Sequence, residues 1–477
     1  MTHIRRLLTI ALAGWLATAA HAQAPAKAPG PPPESLIDIY KRALENDPAF
    51  REAEAQYRVT AQVKPLTRSS LLPQLQLTSN RTNRYADVSG GAVATTGQAA
   101  GSRSVTNQDS HGWGVNLSQT VFDWGQFKTL KKADKQVVQA ETTYEAAKQD
   151  LTTRVATRYF GVLSAEDNLA SAVAAREAIA RQLEQAQRRF EVGLIAITDV
   201  QQSQAGYDDA VSEEILAQQQ LATAHEFLRE IIGEDVAKIA GPKEDFPLRT
   251  PDPENQNEWV QRALSDNLTL VATRLNLEIA NDQIDIDRGS RLPKLSLSAN
   301  YSDSSSVQTQ SIYFTNPVPG CPLPPAPCTS VTPTSPVSNG WAVNLTFPIY
   351  TGGYNSAKIQ QSVYNSRLSE QTVERITRQT ERATRDSYLT VLSDIARVRA
   401  LKQSVESNRT ALRATEAGFE VGTQTTVDVL AAQNSLRRAE TNYSASRYQY
   451  LLAAIALKQA AGSLNETDIQ EIDTFLE

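Results

Sequence analysis

Apolar positions recur along this chain with two different periods. Over 112–122 and 340–350 the period is two. Trp113, Val115, Leu117 and Val121 fall on one side, and Gly114, Asn116, Ser118 and Thr120 on the other. Trp341, Val343, Leu345, Phe347 and Ile349 likewise oppose Ala342, Asn344, Thr346 and Pro348. Such alternation predicts strands whose two faces meet different surroundings. Leu75 and Leu77, and Leu295, Leu297 and Tyr301, supply partner strands over 71–81 and 291–301. By itself the pattern fits a membrane-barrel wall and a half-buried soluble sheet equally well.

Elsewhere the spacing is three and four. Residues 126–192 contain no proline and one glycine, Gly161, and residues 354–421 contain no proline and one glycine, Gly418. Leu151, Val155, Tyr159 and Val162 form a narrow apolar seam in the first stretch, and Tyr388, Val391, Ile395 and Val398 form one in the second. A narrow seam with Ala, Gln, Arg and Glu on the other faces predicts long, solvated, coiled-coil-like helices. At about 1.5 Å per residue each spans about 100 Å, far beyond a helix of a globular core.

The plan occurs twice. "ALENDP" (43–48) answers "ALSDNL" (263–268), "LLPQLQL" (71–77) answers "RLPKLSL" (291–297), and "GWGVNLSQTVFDWG" (112–125) answers "GWAVNLTFPIYTGG" (340–353). "FEVG" at 190–193 returns at 419–422. An internal duplication follows. Repeat 1 covers 34–240, with a helix over 35–65, strands 71–81 and 112–122, a long helix 126–192 and a return helix 196–232. Repeat 2 covers 256–463, with a helix over 256–288, strands 291–301 and 340–350, a long helix 354–421 and a return helix 425–461. A proline-rich linker, 241–255, joins them, and 464–477 form a C-terminal tail. Gly193 and Gly422 stand where each long helix must reverse, a place for the left-handed conformation.

Composition narrows the function. Arg5 and Arg6, an apolar stretch to Ala20 and the sequence Ala20-His21-Ala22 predict a secretory signal peptide over 1–22. The net charge of −6 argues against a nucleic-acid partner. The only two cysteines, Cys321 and Cys328, lie in "CPLPPAPC". In an exported chain they are expected to form a disulfide, not a metal site. Past the signal only His111 and His225 remain. "HEFLRE" (225–230) has Arg229 where a zinc-protease helix needs its second histidine. No enzyme, cofactor or metal is expected.

Residues 80–111 and 302–339 are rich in Ser, Thr, Gly and Asn and read as long polar loops between the strands of each pair. Long loops on one side and tight turns on the other favour an outer-membrane barrel. Four strands cannot close a barrel, and an open edge would expose unpaired backbone to lipid. The chain is therefore expected to share its barrel with other copies of itself.

"SLLPQL", "QTVFDWG", "FEVGLIAITDVQ", "FPIYTGG", "FEVGTQTTVDVL" and "AAGSLNETDI" together resemble the TolC family of outer-membrane channel-tunnels. The resemblance implies an α+β membrane fold with an internal two-fold repeat. A homotrimer pools four strands per chain into a 12-stranded barrel. A long α-helical coiled-coil tunnel continues it into the periplasm. The protein would sit in outer-membrane lipid and dock with a periplasmic adaptor and an inner-membrane pump of resistance-nodulation-division or ABC type. Its work would be drug efflux, type I secretion, or both.

By the same resemblance Val192, Gly193 and Leu194, with Val421, Gly422 and Thr423, are adaptor-contacting tips. Asp428 is a pore-constriction aspartate, and Ala431 stands where many members carry a second. A gate latch in the family joins a Thr-Asp pair to a Tyr and an Arg. Thr198 and Asp199 match that pattern, whereas Phe419 and Gln424 lack the hydroxyl and the charge. Read without the family, Asp199 and Asp428 are also ordinary helix-start aspartates. A barrel-anchored coiled-coil adhesin would show one helical stalk, and a nutrient porin would show many strands and few helices. Neither matches two tandem hairpins.

Overall fold

The computed structural model describes residues 33–476 apart from 91, 94–98, 101, 237, 244–246, 316 and 318. The expected signal peptide, 1–22, lies outside the described residues.

The first expected helix, 35–65, is three: α1 (Leu36–Asn46), α2 (Pro48–Ala61) and α3 (Val63–Ser69). Asp47 causes the first break. Its carboxylate accepts from the Phe50 N–H at 3.1 Å, capping α2, and Pro48 takes the first helical position. The helix expected over 256–288 is likewise two, α6 (Gln256–Asp266) and α7 (Leu268–Gly289). There Asn267 caps Leu270 N–H at 3.0 Å and donates to Ala460 O at 3.0 Å. Continuous apolar spacing hides both breaks, because a capped restart shifts the helix axis without breaking the rhythm.

The strands outrun their apolar signals. β1 (Gln74–Ser89) pairs antiparallel with β4 (Ser102–Phe122), and β4 pairs with β5 (Lys294–Phe314). A short ladder, β2 (Ala92–Val93) with β3 (Ala99–Ala100), lies between β1 and β4 in sequence. β6 (Cys328–Thr334) and β7 (Val337–Thr346) both pair with β5 in one register, interrupted at Ser335-Pro336. The polar stretches read as loops are therefore mostly strand. Serine, threonine and asparagine satisfy a hydrogen-bond ladder as well as valine does, and only the face-to-face contrast disappears. A membrane crossing needs about 9–11 residues. β4 and β5, with 21 residues each, are long enough to cross and continue beyond it. At the other end β7 stops at Thr346, before the expected 350, since Pro348 cannot join the ladder.

Registers carry the period of two across the rows of the sheet nearest the long helices. Leu75, Leu117, Ala299 and Trp341 share one row, and Leu77, Val115 and Tyr301 the row beside it. The alternate rows are polar: Gln76, Asn116, Asn300 and Gly340, then Thr78, Gly114, Ser302 and Ser338. The polar face is the tight one. A Cβ on Gly112 would lie 2.9 Å from the Ser304 Cβ. The strand order β1-β4-β5-β6/β7 leaves β1 at one edge and β6 and β7 along the other.

Below the sheet run α4 (Trp124–Glu191), α5 (Ile197–Ile232), α8 (Tyr354–Glu420) and α9 (Thr426–Ala460). α4 folds back on α5 and α8 on α9, while α7 packs between α4 and α8. The apolar seams are buried: Leu151, Val155, Tyr159 and Val162 at 0–1% exposure, and Tyr388, Val391, Ile395 and Val398 at 2–7%. They do not face one another alone. With Leu36, Ile39, Ile232, Trp259, Ile455 and Ile469 they make one core where the short helices wrap the long ones. Tyr159 Oη–H donates to Ala240 O at 2.7 Å, tying the post-α5 segment to α4. The expected C-terminal tail folds too. Asn465 and Asp468 form a capping box that starts α10 (Glu466–Asp473), and Ile469 and Ile472 join the core.

Candidate functional site: the hairpin tips

Both long helices end in the same backbone motif. Gly193 has φ +78° and Gly422 φ +79°, the left-handed region where a side chain is strained. At the first tip Gly193 N–H donates to Phe190 O at 2.8 Å and Leu194 N–H to Arg189 O at 2.9 Å. At the second, Gly422 N–H donates to Phe419 O at 3.2 Å and Thr423 N–H to Gly418 O at 2.8 Å. These paired bonds are Schellman motifs, which satisfy the last carbonyls of a helix while reversing the chain. The reversal pushes Val192, Leu194 and Val421 outward, each at least 70% exposed.

The return helices begin with an aspartate at their third position. Asp428 Oδ2 accepts from Thr425 N–H at 2.8 Å and Thr425 Oγ1–H at 2.7 Å, and Asp428 N–H donates to Thr425 Oγ1 at 3.3 Å. This is a complete capping box. The Thr425 hydroxyl, then the Thr425 backbone N–H, holds the Asp428 carboxyl below its usual range. Both donors land on Oδ2, leaving the second oxygen outside the cap. Asp199 makes half of the same arrangement, with Oδ2 accepting from Ala196 N–H at 3.3 Å. Ala196 has no hydroxyl with which to answer.

Thr198 is exposed and Asp199 half-buried. Among the described residues no hydrogen bond or ion pair joins either of them to Phe419 or Gln424. Gln424 folds over its own turn, so that a Cβ on Gly418 would lie 2.6 Å from the Gln424 Cγ. Phe419 instead lies beneath the Arg189 guanidinium, with Cζ 5.0 Å from the ring centroid. Arg189 was not legible as a site residue, because its partner is on the other hairpin and no spacing announces it.

Cys321 and Cys328 are joined in a disulfide, with Cα atoms 5.1 Å apart. It closes the segment that leads into β6, far along the chain from the tips. Among the described residues no group of three or more His, Cys, Asp and Glu side chains is placed to hold a metal ion. Nor is any described helix long and apolar enough to cross a membrane.

A family model described as outer membrane efflux protein matches residues 39–234 and 259–463. The chain is 34% identical to outer membrane protein TolC of Vibrio cholerae, covering 93% of this chain and 94% of that one. It is 28% identical to the alkaline protease secretion protein AprF of Pseudomonas aeruginosa, over 91% and 86% of the two chains. Among solved structures, CusC superposes with a TM-score of 0.71 at 17% identity, covering 91% of this chain and 93% of that one. The outer membrane protein VceC of Vibrio cholerae gives 0.68 at 18%, covering 90% and 96%.

Proposed function

The chain belongs to the outer membrane efflux protein family, and from that premise we propose that it is a homotrimeric exit duct. Its place is the outer membrane, with a large periplasmic portion. One observation carries the assembly with other copies. The sheet has an apolar face, a tight polar face and two open edges, β1 on one side and β6 with β7 on the other. An unpaired edge in lipid costs several kcal/mol per backbone group, so neighbouring copies must supply the missing pairs. Three copies close a 12-stranded barrel, polar inside, with the duplicated helical hairpins continuing it as a tunnel through the periplasm.

At the far end of that tunnel Val192, Gly193 and Leu194, with Val421, Gly422 and Thr423, form the docking tips for a periplasmic adaptor. An inner-membrane pump of resistance-nodulation-division or ABC type drives export through it. The duct has no catalytic role. It carries small toxic compounds, secreted proteins, or both, and the likeness to a protease secretion protein supports the second cargo. Three Asp428 side chains around the axis make an anionic constriction, to which Thr198, Asp199, Phe419 and Gln424 contribute the surroundings.

Analytical ultracentrifugation in detergent, with bilayer recording, tests the proposal. Trimers that conduct are expected. A fully helical monomer, or trimers that never conduct, would overturn it.

A further inference from the structure

The polar face of the sheet is almost without charge. At its base Lys294 pairs with Asp123 at 2.8 Å. From there outward the paired rows of that face hold Ser, Thr, Asn, Gln, Gly and Ala until they reach Arg84. Arg84 shares its row with Gln108, Gln308 and Thr332.

The other two arginines of this outer section are handled differently. Arg81 and Arg103 stand on the opposite face, and each has a carboxylate partner there. Arg81 donates to Asp109 at 3.1 Å, and Arg103 donates to Asp87 at 2.9 Å. Arg84 is exposed and, among the described residues, makes no ion pair or hydrogen bond. Its surroundings offer no carboxylate. The connecting segments further out, 90–101 and 315–327, contain no charged residue. Nor do β6 and β7, the strands that β1 of a neighbouring copy would meet in a closed barrel. Assembly would therefore leave Arg84 unneutralised and repeat it around the axis.

We propose that three Arg84 side chains ring the outer section of the pore and form a binding site for multivalent anions, which draws anionic cargo towards the exit. The inference rests on the exit-duct reading above and names a cargo class for that duct. The ring is opposite in sign to the Asp428 ring proposed at the far end. A wall of neutral amides and hydroxyls leaves its field uncancelled, and a narrow polar passage through a low-dielectric shell concentrates that field. The guanidinium fork suits phosphate and carboxylate oxygens, taking two at once.

The test compares the unaltered protein with Arg84→Gln, Arg84→Lys and Arg81→Gln in planar bilayers. Ultracentrifugation first confirms that each is trimeric. Tripolyphosphate added on the barrel side is the probe. In about 0.1 M salt it should block the unaltered channel, and Arg84→Gln should weaken that block about ten-fold. Block should vanish in about 1 M salt, where screening reaches only about 3 Å. Arg84→Lys should keep most of the block, because the charge remains. Arg81→Gln should change nothing, because that charge is paired on the other face. Conducting trimers that tripolyphosphate does not block would overturn the site and leave the duct reading standing. An Arg81→Gln effect as large as that of Arg84→Gln would also overturn it.

A chemical readout needs no conduction. In Gln108→Cys the new thiol lies in the Arg84 row, on the adjacent strand. It should favour an anionic over a cationic thiosulfonate reagent. In Gln108→Cys/Arg84→Gln that preference should fall about three-fold at low salt. An unchanged ratio would refute the attraction. If the unaltered protein never conducts, the duct reading fails, and the reagent ratio alone then decides whether Arg84 draws anions.

Discussion

Tyr448 Oη–H donates to Asp167 Oδ2 at 2.7 Å, joining return helix α9 to long helix α4. Tyr448 is buried, and its ring lies 5.9 Å from Phe160. A phenol that donates to a carboxylate inside a packed core is worth about 1.5–3 kcal/mol. Tyr448→Phe should therefore lower the melting temperature of the purified protein while leaving its helicity intact. Burial, and then the Asp167 charge, pushes the Tyr448 hydroxyl above its ordinary value. A raised folded-state value means that this contribution is complete below about pH 10 and is lost as pH climbs further. The gap between unaltered protein and variant should thus be constant from neutral pH to about 10 and narrow above it. A gap that widens with alkalinity would contradict the assignment.

The two tip glycines should respond alike. Gly193 and Gly422 have open space where a Cβ would go, so only the positive φ resists substitution. Gly193→Ala and Gly422→Ala should each destabilise their tip by about 1–2 kcal/mol. Hydrogen exchange would rise there and nowhere near the core. Equal exchange in the variants would mean that the Schellman geometry is not what holds the tips.

How much of this was legible in the sequence depended on how local each signal was. The absence of proline between 126 and 192, and between 354 and 421, marks long helices directly. The seam residues Tyr159 and Tyr388 announced burial but not the partner, and what covers them comes from α1, α6, α9 and α10. Strand ends were hidden because Ser304 and Thr329 carry no hydrophobic contrast, although both pair in the sheet. Asp47 and Asn267 were visible as letters, but a cap within an unbroken apolar rhythm looks like helix interior. At the second tip, Asp428 and its Thr425 partner were three residues apart and readable. Arg189 and Phe419 are brought together by the packing of two hairpins, which no local pattern encodes.

The disulfide gives a third prediction. Cys321 and Cys328 should not react with a maleimide until reductant is added. The double variant Cys321→Ser/Cys328→Ser should still form trimers, because the closed segment lies outside the β5–β7 pairing. A small loop closure constrains mainly the unfolded chain, so the loss should appear as local exchange around 319–330. Reaction without reductant would show free thiols.

Asp428 gives the last prediction, and here two roles compete at one side chain. As a cap, its Oδ2 takes both bonds from Thr425. As a pore residue in a trimer, it brings three carboxylates to one ring, and Ala431 leaves that ring alone on its helix. The roles differ in what Asp428→Asn should do. An amide oxygen can still accept from Thr425, so the start of α9 should survive and the trimer should assemble. The charge is gone, so cation selectivity and block by multivalent cations from the periplasmic side should fall sharply. In the unaltered protein the Thr425 donors hold the carboxyl below its usual range. A depressed folded-state value keeps the charge, and the stability it brings, as pH falls to about 4, both being lost only as pH drops through that value. If Asp428→Asn leaves selectivity and block unchanged, Asp428 is only the residue that starts α9, and the constriction lies elsewhere along the tunnel.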